Sequence, residues 1–288
     1  WLAAHGNRYH SVDVQLTHSG GSGGQSDVIQ GEEGVAHWPK ARYSHVIHLR
    51  EEALTFARRI WADYLWMLDC DVFITNPVTL THLVSLRRTV VAPMLRSDGL
   101  YSNFWCGMTP ELYYMRTDSY TPILNRKSKG CHRVPMVHSA VLLDLRAVES
   151  DGLTYSPDRL LGYAGPRDDI ITFARSANMT GVNMYVCNEE IYGYIMVPLE
   201  KDDQLSYDLL QLRNLKLEIL ADGPPLEPSS NLEEFLLWPE DDSHVRDSLV
   251  EKVYMISLLR RPERRLRMEQ CFRELNLTSV TVDAVDGK

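Results

Sequence analysis

Two carboxylates one residue apart, Asp69 and Asp71, close the apolar run Tyr64-Leu65-Trp66-Met67-Leu68. If the backbone turns between them, both can reach one cation. A hard divalent ion prefers oxygen ligands, and a diphosphate-bearing ligand can complete its shell. Such an ion neutralises charge that builds on a departing diphosphate. The competing reading makes Asp69 and Asp71 ordinary turn residues at a strand end, because isolated Asp-x-Asp triplets are common. A second acidic pair, Asp168-Asp169, precedes the apolar Ile170-Ile171-Thr172-Phe173-Ala174. One of these carboxylates can serve as a base toward an acceptor hydroxyl. Alternatively, Asp168 caps a helix and Asp169 complements its dipole, the reading that spacing alone favours. His138 lies inside an apolar stretch. It can complete a metal site, but a lone histidine in such a place is more often a hydrogen-bonded core residue.

Other polar segments offer weaker signals. Tyr101, Trp105, Tyr113 and Tyr114 are aromatics in a polar loop, able to stack on sugar or peptide or to pack on their own domain. Arg126-Lys127-Ser128-Lys129 reads as a solvated face. Arg260-Arg261-Pro262-Glu263-Arg264-Arg265 opens a helix and can meet an anion.

The elements that must position these groups are those of an α/β fold. Val12–Leu16 alternates enough for a strand, and residues 17–34 read as a Gly/Ser-rich exposed loop. Ala53, Phe56, Ala57 and Ile60 recur at helical spacing, which predicts a helix over Glu51–Ala62. Tyr64–Leu68 reads as a strand buried on both faces of a parallel sheet. Ligands of open α/β sheets bind beyond the carboxyl ends of the strands, where Asp69 and Asp71 stand. Thr75-Asn76-Pro77 supplies a cap and a first-turn proline for a helix reaching Leu86. Strands are predicted over Thr89–Leu95 and Val182–Cys187, with a further apolar stretch over Val134–Leu145. Residues 200–248 are acidic and interrupted by prolines at Pro224, Pro225 and Pro228, so an interdomain connection is expected there. A fresh βαβ pattern follows, with strand Lys252–Leu258, helix Pro262–Leu275 and strand Ser279–Ala284. The expected division is a first domain over 1–205, a linker over 206–249 and the start of a second α/β domain over 250–288.

Bulk properties narrow the class. The net charge of -9 argues against a nucleic-acid partner, yet a cation-mediated contact lets an acidic protein hold an anionic ligand. No apolar run approaches the ~20 residues that span a bilayer. The opening Trp1-Leu2-Ala3-Ala4 lacks an initiator methionine and a basic-then-apolar leader, so the native N-terminus is expected to lie upstream. None of the five cysteines forms a C-x-x-C pair, so a structural zinc site is not expected. Cys106 and Cys131 flank one loop and can be bridged in an oxidising compartment. Cys70 and Cys187 read as small core residues. Asn178-Met179-Thr180 and Asn276-Leu277-Thr278 fit the N-glycosylation sequon, a weak pointer to the secretory pathway.

Longer strings carry a family resemblance. Trp61-Ala62-Asp63-Tyr64 leading to Asp69-Cys70-Asp71 and Asn76-Pro77 resembles the procollagen galactosyltransferases of glycosyltransferase family 25. So do Val91-Ala92-Pro93-Met94-Leu95, Tyr101-Ser102-Asn103-Phe104-Trp105-Cys106-Gly107-Met108 and Val134-Pro135-Met136-Val137-His138-Ser139. Asp168-Asp169-Ile170-Ile171, Tyr185-Val186-Cys187-Asn188 and Asp283-Ala284-Val285-Asp286-Gly287 continue the match. Val253-Tyr254-Met255-Ile256-Ser257-Leu258 with Arg261-Pro262-Glu263-Arg264-Arg265 is similar to the start of the family's second transferase domain.

The resemblance implies nucleotide-diphospho-sugar (GT-A type) domains, each a mixed sheet flanked by helices. It implies galactose transfer from UDP-galactose to hydroxylysine of collagen, dependence on Mn2+, and residence in the endoplasmic reticulum lumen. Asp69 and Asp71 match the family's first acidic motif, hence its metal and donor site. Asp168 and Asp169 match its later, catalytic pair. Cys70 departs from the small residue common between the first two. The first strand of the first domain and the acidic motif of the second are missing, so this stretch alone is expected to be inactive. An alternative is a catalytically inactive member acting as a cell adhesion protein. A two-carboxylate hydrolase is a weaker option, since nothing indicates glycosidase spacing.

Overall fold

The computed structural model describes residues 9–14, 31, 33–34, 36–200, 203–222 and 252–285. The chain divides into two compact units, one of residues 28–215 and another containing residues 216–288.

The larger unit is built on a five-stranded mixed sheet. Its elements include α1 (Lys40–Arg59), β1 (Tyr64–Leu68), β2 (Val72–Ile74), α2 (Thr79–Ser85) and β3 (Val90–Pro93). Short strands β4 (Phe104–Trp105), β5 (Gly107–Met108) and β6 (Tyr114–Met115) precede α3 (Tyr120–Leu124). Then come β7 (Cys131–Val134), β8 (Met136–Val137), β9 (Ala140–Asp144), α4 (Asp169–Thr180), β10 (Met184–Cys187) and β11 (Gly193–Ile195). Strand order in the sheet is β1-β9-β3-β10-β7. Only β3 and β10 pair in parallel; β9 lies antiparallel to both β1 and β3, and β7 antiparallel to β10. The sheet's inner face carries Val90, Ala92, Val141, Leu143 and Val186 into a core closed by Leu54 of α1 and by Ile171, Phe173 and Ala177 of α4.

Several expectations change. Tyr64–Leu68 is a strand, but it ends the sheet and pairs antiparallel with β9, and Leu68 is exposed. Aromatic and long side chains let an edge strand look like a central one in sequence. Helix α1 begins eleven residues before Glu51, at Lys40. Its buried stripe is Ile47, Leu54 and Ala57, while Phe56 and Ile60 face solvent. Helix α2 starts at Thr79, because Asn76 forms the turn before it: its Oδ1 accepts from Val78 N at 3.1 Å. The stretch Val134–Leu145 is not one strand. Pro135 and the turn His138-Ser139 divide it into β7, β8 and β9, with Ser139 at φ +62. Residues 12–14 form no strand, and Gln15 and Leu16, like most of residues 17–34, lie outside the described residues.

The Cys106–Cys131 bridge that the sequence allowed is not formed. Cys131 bonds Cys187, and Cys106 and Cys70 are free, Cys70 exposed. The reason is register: antiparallel pairing of β7 with β10 sets Cys131 directly opposite Cys187, with Cα atoms 4.0 Å apart. Closing a loop with a sequence separation of 56 stabilises the fold by about 4 kcal/mol in the chain-entropy view.

Residues 205–222 form a helix, α5 (Leu205–Asp222). Residues 223–251 lie outside the described residues. Beyond them, β12 (Val253–Ser257), α6 (Pro262–Glu274) and β13 (Ser279–Asp283) form the predicted βαβ unit, its two strands parallel. Pro262 opens α6 and Glu263 sits in its first turn, both suited to a helix start.

Candidate functional site

Asp69 leaves the end of β1 with its backbone fixed: its N–H donates to Ser139 O at 2.8 Å. The chain then turns, Val72 N donating to Asp69 O at 3.3 Å, and Asp71 O accepts from Met196 N at 3.4 Å. Strand β2, which follows at once, pairs with β11, and Gly193 faces Ile74 there. A Cβ at position 193 would stand 2.1 Å from Phe73 O, so this close approach requires glycine. The turn carrying Asp71 is therefore held on both sides by backbone contacts.

The second motif sits at the start of α4. Asp168 is the N-cap, and its Oδ1 accepts from Ile171 N at 2.9 Å. Its Oδ2 accepts from Tyr114 Oη at 2.8 Å. Asp169 is buried, 5% exposed, in the first turn. At the other end, Gly181 closes α4 at φ +75, the left-handed position that favours glycine.

One side chain joins the two motifs. Arg50 Nη2 lies 2.6 Å from Asp69 Oδ1, and Arg50 Nε lies 2.7 Å from Asp169 Oδ2. The second contact is an ion pair whose N–H is not aligned as a hydrogen bond, since Nε has no hydrogen-bond partner by geometry. Burial opposes the Arg50 charge, but Asp169 and Asp69 outweigh it and raise its pKa. The adjacent Glu51 accepts from Thr154 Oγ1 and Tyr155 N, each at 2.8 Å, which anchors α1 beside the site. Arg50 escaped the sequence reading. The signal was there: it replaces an apolar residue on the Ile47–Leu54–Ala57 stripe of α1.

The electrostatics separate the four acids. Burial, and then the neighbouring Asp69, push the Asp71 carboxyl above the ordinary carboxylate range. No ion pair to Asp71 is seen among the described residues. Burial also raises Asp169, against the opposing pull of Arg50. Tyr114 is held protonated by burial and by Asp168, and so donates to it. Tyr101 is likewise raised by burial and by Asp71 and Asp69. His138 is buried beside them. Its Nδ1 pairs with Ser139 Oγ at 2.9 Å, its Nε2 has no protein partner, and burial lowers its pKa to about 4, which leaves it neutral.

Among the described residues no three His, Cys, Asp or Glu side chains converge as a ready-made metal centre. A divalent cation nonetheless fits the donor set. Asp71 is a desolvated carboxylate with no ion pair among the described residues, Asp69 keeps one oxygen free of Arg50, and both are hard donors. The remaining ligands must come from a bound diphosphate or water.

The aromatic loop packs largely on itself. Trp105 stacks on Tyr114 and Tyr120 with centroids at 5.4 Å and 5.9 Å, and Arg116 lies over Trp105. Tyr113 alone of the four is exposed. Lys127, Ser128 and Lys129 are exposed, while the half-buried Arg126 donates from its guanidinium to Asn188 O and Glu189 O. A cavity of about 580 Å³, lined by Gly107, Met115, Arg133, Ala174, Arg175 and Met184 among others, contains neither acidic motif.

Comparison with known proteins bears on this geometry. The family model described as "Glycosyltransferase family 25, N-terminal domain" matches residues 1–216. The chain belongs to glycosyltransferase family 25. Its relatives include a "Glycosyltransferase 25 family member" of Aedes aegypti, 45% identical over 100% of this chain and 46% of the relative. "Procollagen galactosyltransferase 1" of Danio rerio is 43% identical over 100% of this chain and 46% of its own length. "Procollagen galactosyltransferase 2" of Homo sapiens is 44% identical over 89% of this chain and 40% of its own. The chain spans about half the length of these relatives or less. The mixed α/β sheet agrees with a family 25 glycosyltransferase domain, and no helix among the described residues is long and apolar enough to cross a membrane.

Proposed function

We propose that the protein containing this chain transfers galactose from UDP-galactose to hydroxylysine of collagen with the help of Mn2+. The reading is carried by full-chain similarity to relatives named procollagen galactosyltransferase. Asp71 supports it, since a desolvated carboxylate at a strand end beside a second carboxylate suits a cation-assisted donor site better than an adhesion surface. A bound cation would supply positive charge for the departing diphosphate.

The chain's own residues supply the rest of this scheme. Asp71 and Asp69 offer oxygens to the cation. Of the acidic pair to which the resemblance assigns catalysis, Asp169 is the candidate base, because burial raises it. Asp168, held by Tyr114 and by the α4 amide, orients that end of the site. Residues 250–288 are proposed as the opening of a second transferase domain. Work in the endoplasmic reticulum lumen is supported by the Cys131–Cys187 disulfide, which persists in oxidising compartments.

The test is radiolabelled galactose transfer to deglycosylated collagen by the full-length protein, wild type against Asp71→Ala. Loss of transfer in the variant is expected; equal transfer by both removes the catalytic role from this motif.

A further inference from the structure

We propose that Arg50 is a positioning residue that couples the two acidic motifs and sets how strongly the Asp69–Asp71 end attracts a divalent cation. This rests on the transferase reading above and adds a residue that neither motif contains.

The argument begins with placement. On α1, residue 50 shares a face with Ile47, Leu54 and Ala57, all buried. A side chain there is directed at the domain interior, and the Arg50 side chain is only 15% exposed. A buried guanidinium is costly unless it is paired. Here the cost is met by Asp69 on one nitrogen and Asp169 on another, with the Tyr155 ring 5.8 Å from Cζ. Glu51 fixes the same turn of helix through Thr154 and Tyr155. The guanidinium thus has a rigid base and two rigid targets.

Its shape matters as well as its charge. Nε and Nη2 address two carboxylates that belong to different elements, the β1 end and the α4 start. Arginine's planar guanidinium reaches both at once, one by a hydrogen bond and one by an ion pair; lysine's ammonium is a single point on a flexible stem. Arg50 therefore fixes the position of Asp169 relative to Asp69.

Charge gives the second consequence. Asp69 and Asp169 touch the Arg50 guanidinium, and its charge also reaches Asp71. Asp168 is satisfied by an amide and a phenol, and Arg50 is shared by Asp69 and Asp169. Asp71 has no ion pair among the described residues: burial and its like-charged neighbour outweigh a backbone hydrogen bond and the weaker pull of Arg50. The positive charge of Arg50 weakens the attraction of this cluster for a cation. Removing it should tighten cation binding while loosening the geometry needed for transfer. A residue that merely stabilised the fold would do neither selectively.

The experiment uses the full-length protein, with Mn2+ affinity measured by titration calorimetry and by loss of the free Mn2+ paramagnetic signal, beside steady-state transfer. For Arg50→Gln, Mn2+ should bind roughly tenfold tighter while kcat falls by roughly 30-fold or more. Arg50→Lys keeps the charge, so Mn2+ affinity should stay within about twofold of wild type while kcat still drops, less than in Arg50→Gln, with KM for the donor little changed. Unchanged or weaker Mn2+ binding in folded Arg50→Gln overturns the proposal, as does wild-type kcat in Arg50→Lys. If Arg50→Gln gives no cooperative melt, the Arg50→Lys result decides alone. A wild type that neither binds Mn2+ nor transfers galactose removes the transferase reading, and this inference with it. A competent wild type with indifferent variants removes the inference only.

Discussion

Asp71 and Asp168 are both carboxylates at the end of a regular element, yet they are treated in opposite ways. Both Asp168 oxygens accept hydrogen bonds, one from an α4 amide N–H and one from Tyr114 Oη. Asp71 is half-buried beside another acid with no ion pair among the described residues, and its pKa rises. The members nearer the shared centre, Asp69 and Asp169, are tied to Arg50. Structure has absorbed most of the second motif's charge and left part of the first motif's for a ligand. Identical side chains are thus divided between holding the site and receiving something in it.

That contrast is most exposed at Asp71. Asp71→Asn in the full-length protein should abolish measurable Mn2+ binding and lower transfer by roughly 100-fold or more, with the melting temperature unchanged or raised, because a repelling charge has gone. A variant that binds Mn2+ normally would erase the distinction between the motifs. Asp169→Asn should instead show first in stability. It takes a buried counter-charge from Arg50 and should cost roughly 3 kcal/mol in denaturant unfolding. Unfolding indistinguishable from wild type would mean that the Arg50–Asp169 pair holds nothing.

His138 tests the side nearest Asp69. Its pKa is lowered in the folded state to about 4, against an ordinary value of 6.5. The unfolded chain therefore binds more protons between those values. The stabilisation from a neutral buried imidazole is complete above pH 6.5 and is lost as pH falls toward 4, by about 2–3 kcal/mol. Unfolding titrations from pH 7 to pH 4 should show this slope, and His138→Gln should flatten it. The smallest effect belongs to the capping residue. Asp168→Ala should cost about 1 kcal/mol of stability and less than tenfold in transfer. A 100-fold loss of transfer with the fold intact would move Asp168 to the catalytic side and overturn the contrast.

Much of the frame could be read before any coordinates. The run Tyr64–Leu68, the strand ending at Pro93, the helix after Asp168 and the βαβ unit from Val253 follow from local periodicity and caps, and local signals are what sequence carries best. The strand pairing could not be read, because Tyr64–Leu68 looks the same to a propensity argument beside a parallel or an antiparallel neighbour. The disulfide was out of reach for the same reason: only the β7–β10 register sets Cys131 opposite Cys187. At the candidate site, spacing pointed to Asp168 as a helix cap, which it is, while the catalytic reading of Asp168-Asp169 came from the resemblance and the arginine between the motifs was missed. Arg50 interrupts an apolar stripe, so it hides the helix that carries it, and functional sites are where local rules are expected to fail.

Gly193 has a consequence outside this chain. Any side chain there would collide with the Phe73 carbonyl and separate β2 from β11. The loop that presents Asp71 could not survive that separation unchanged. Position 193 is therefore a simple marker for reading other sequences of the family: glycine permits the same loop, and any larger residue announces that the cation-facing turn has been rebuilt.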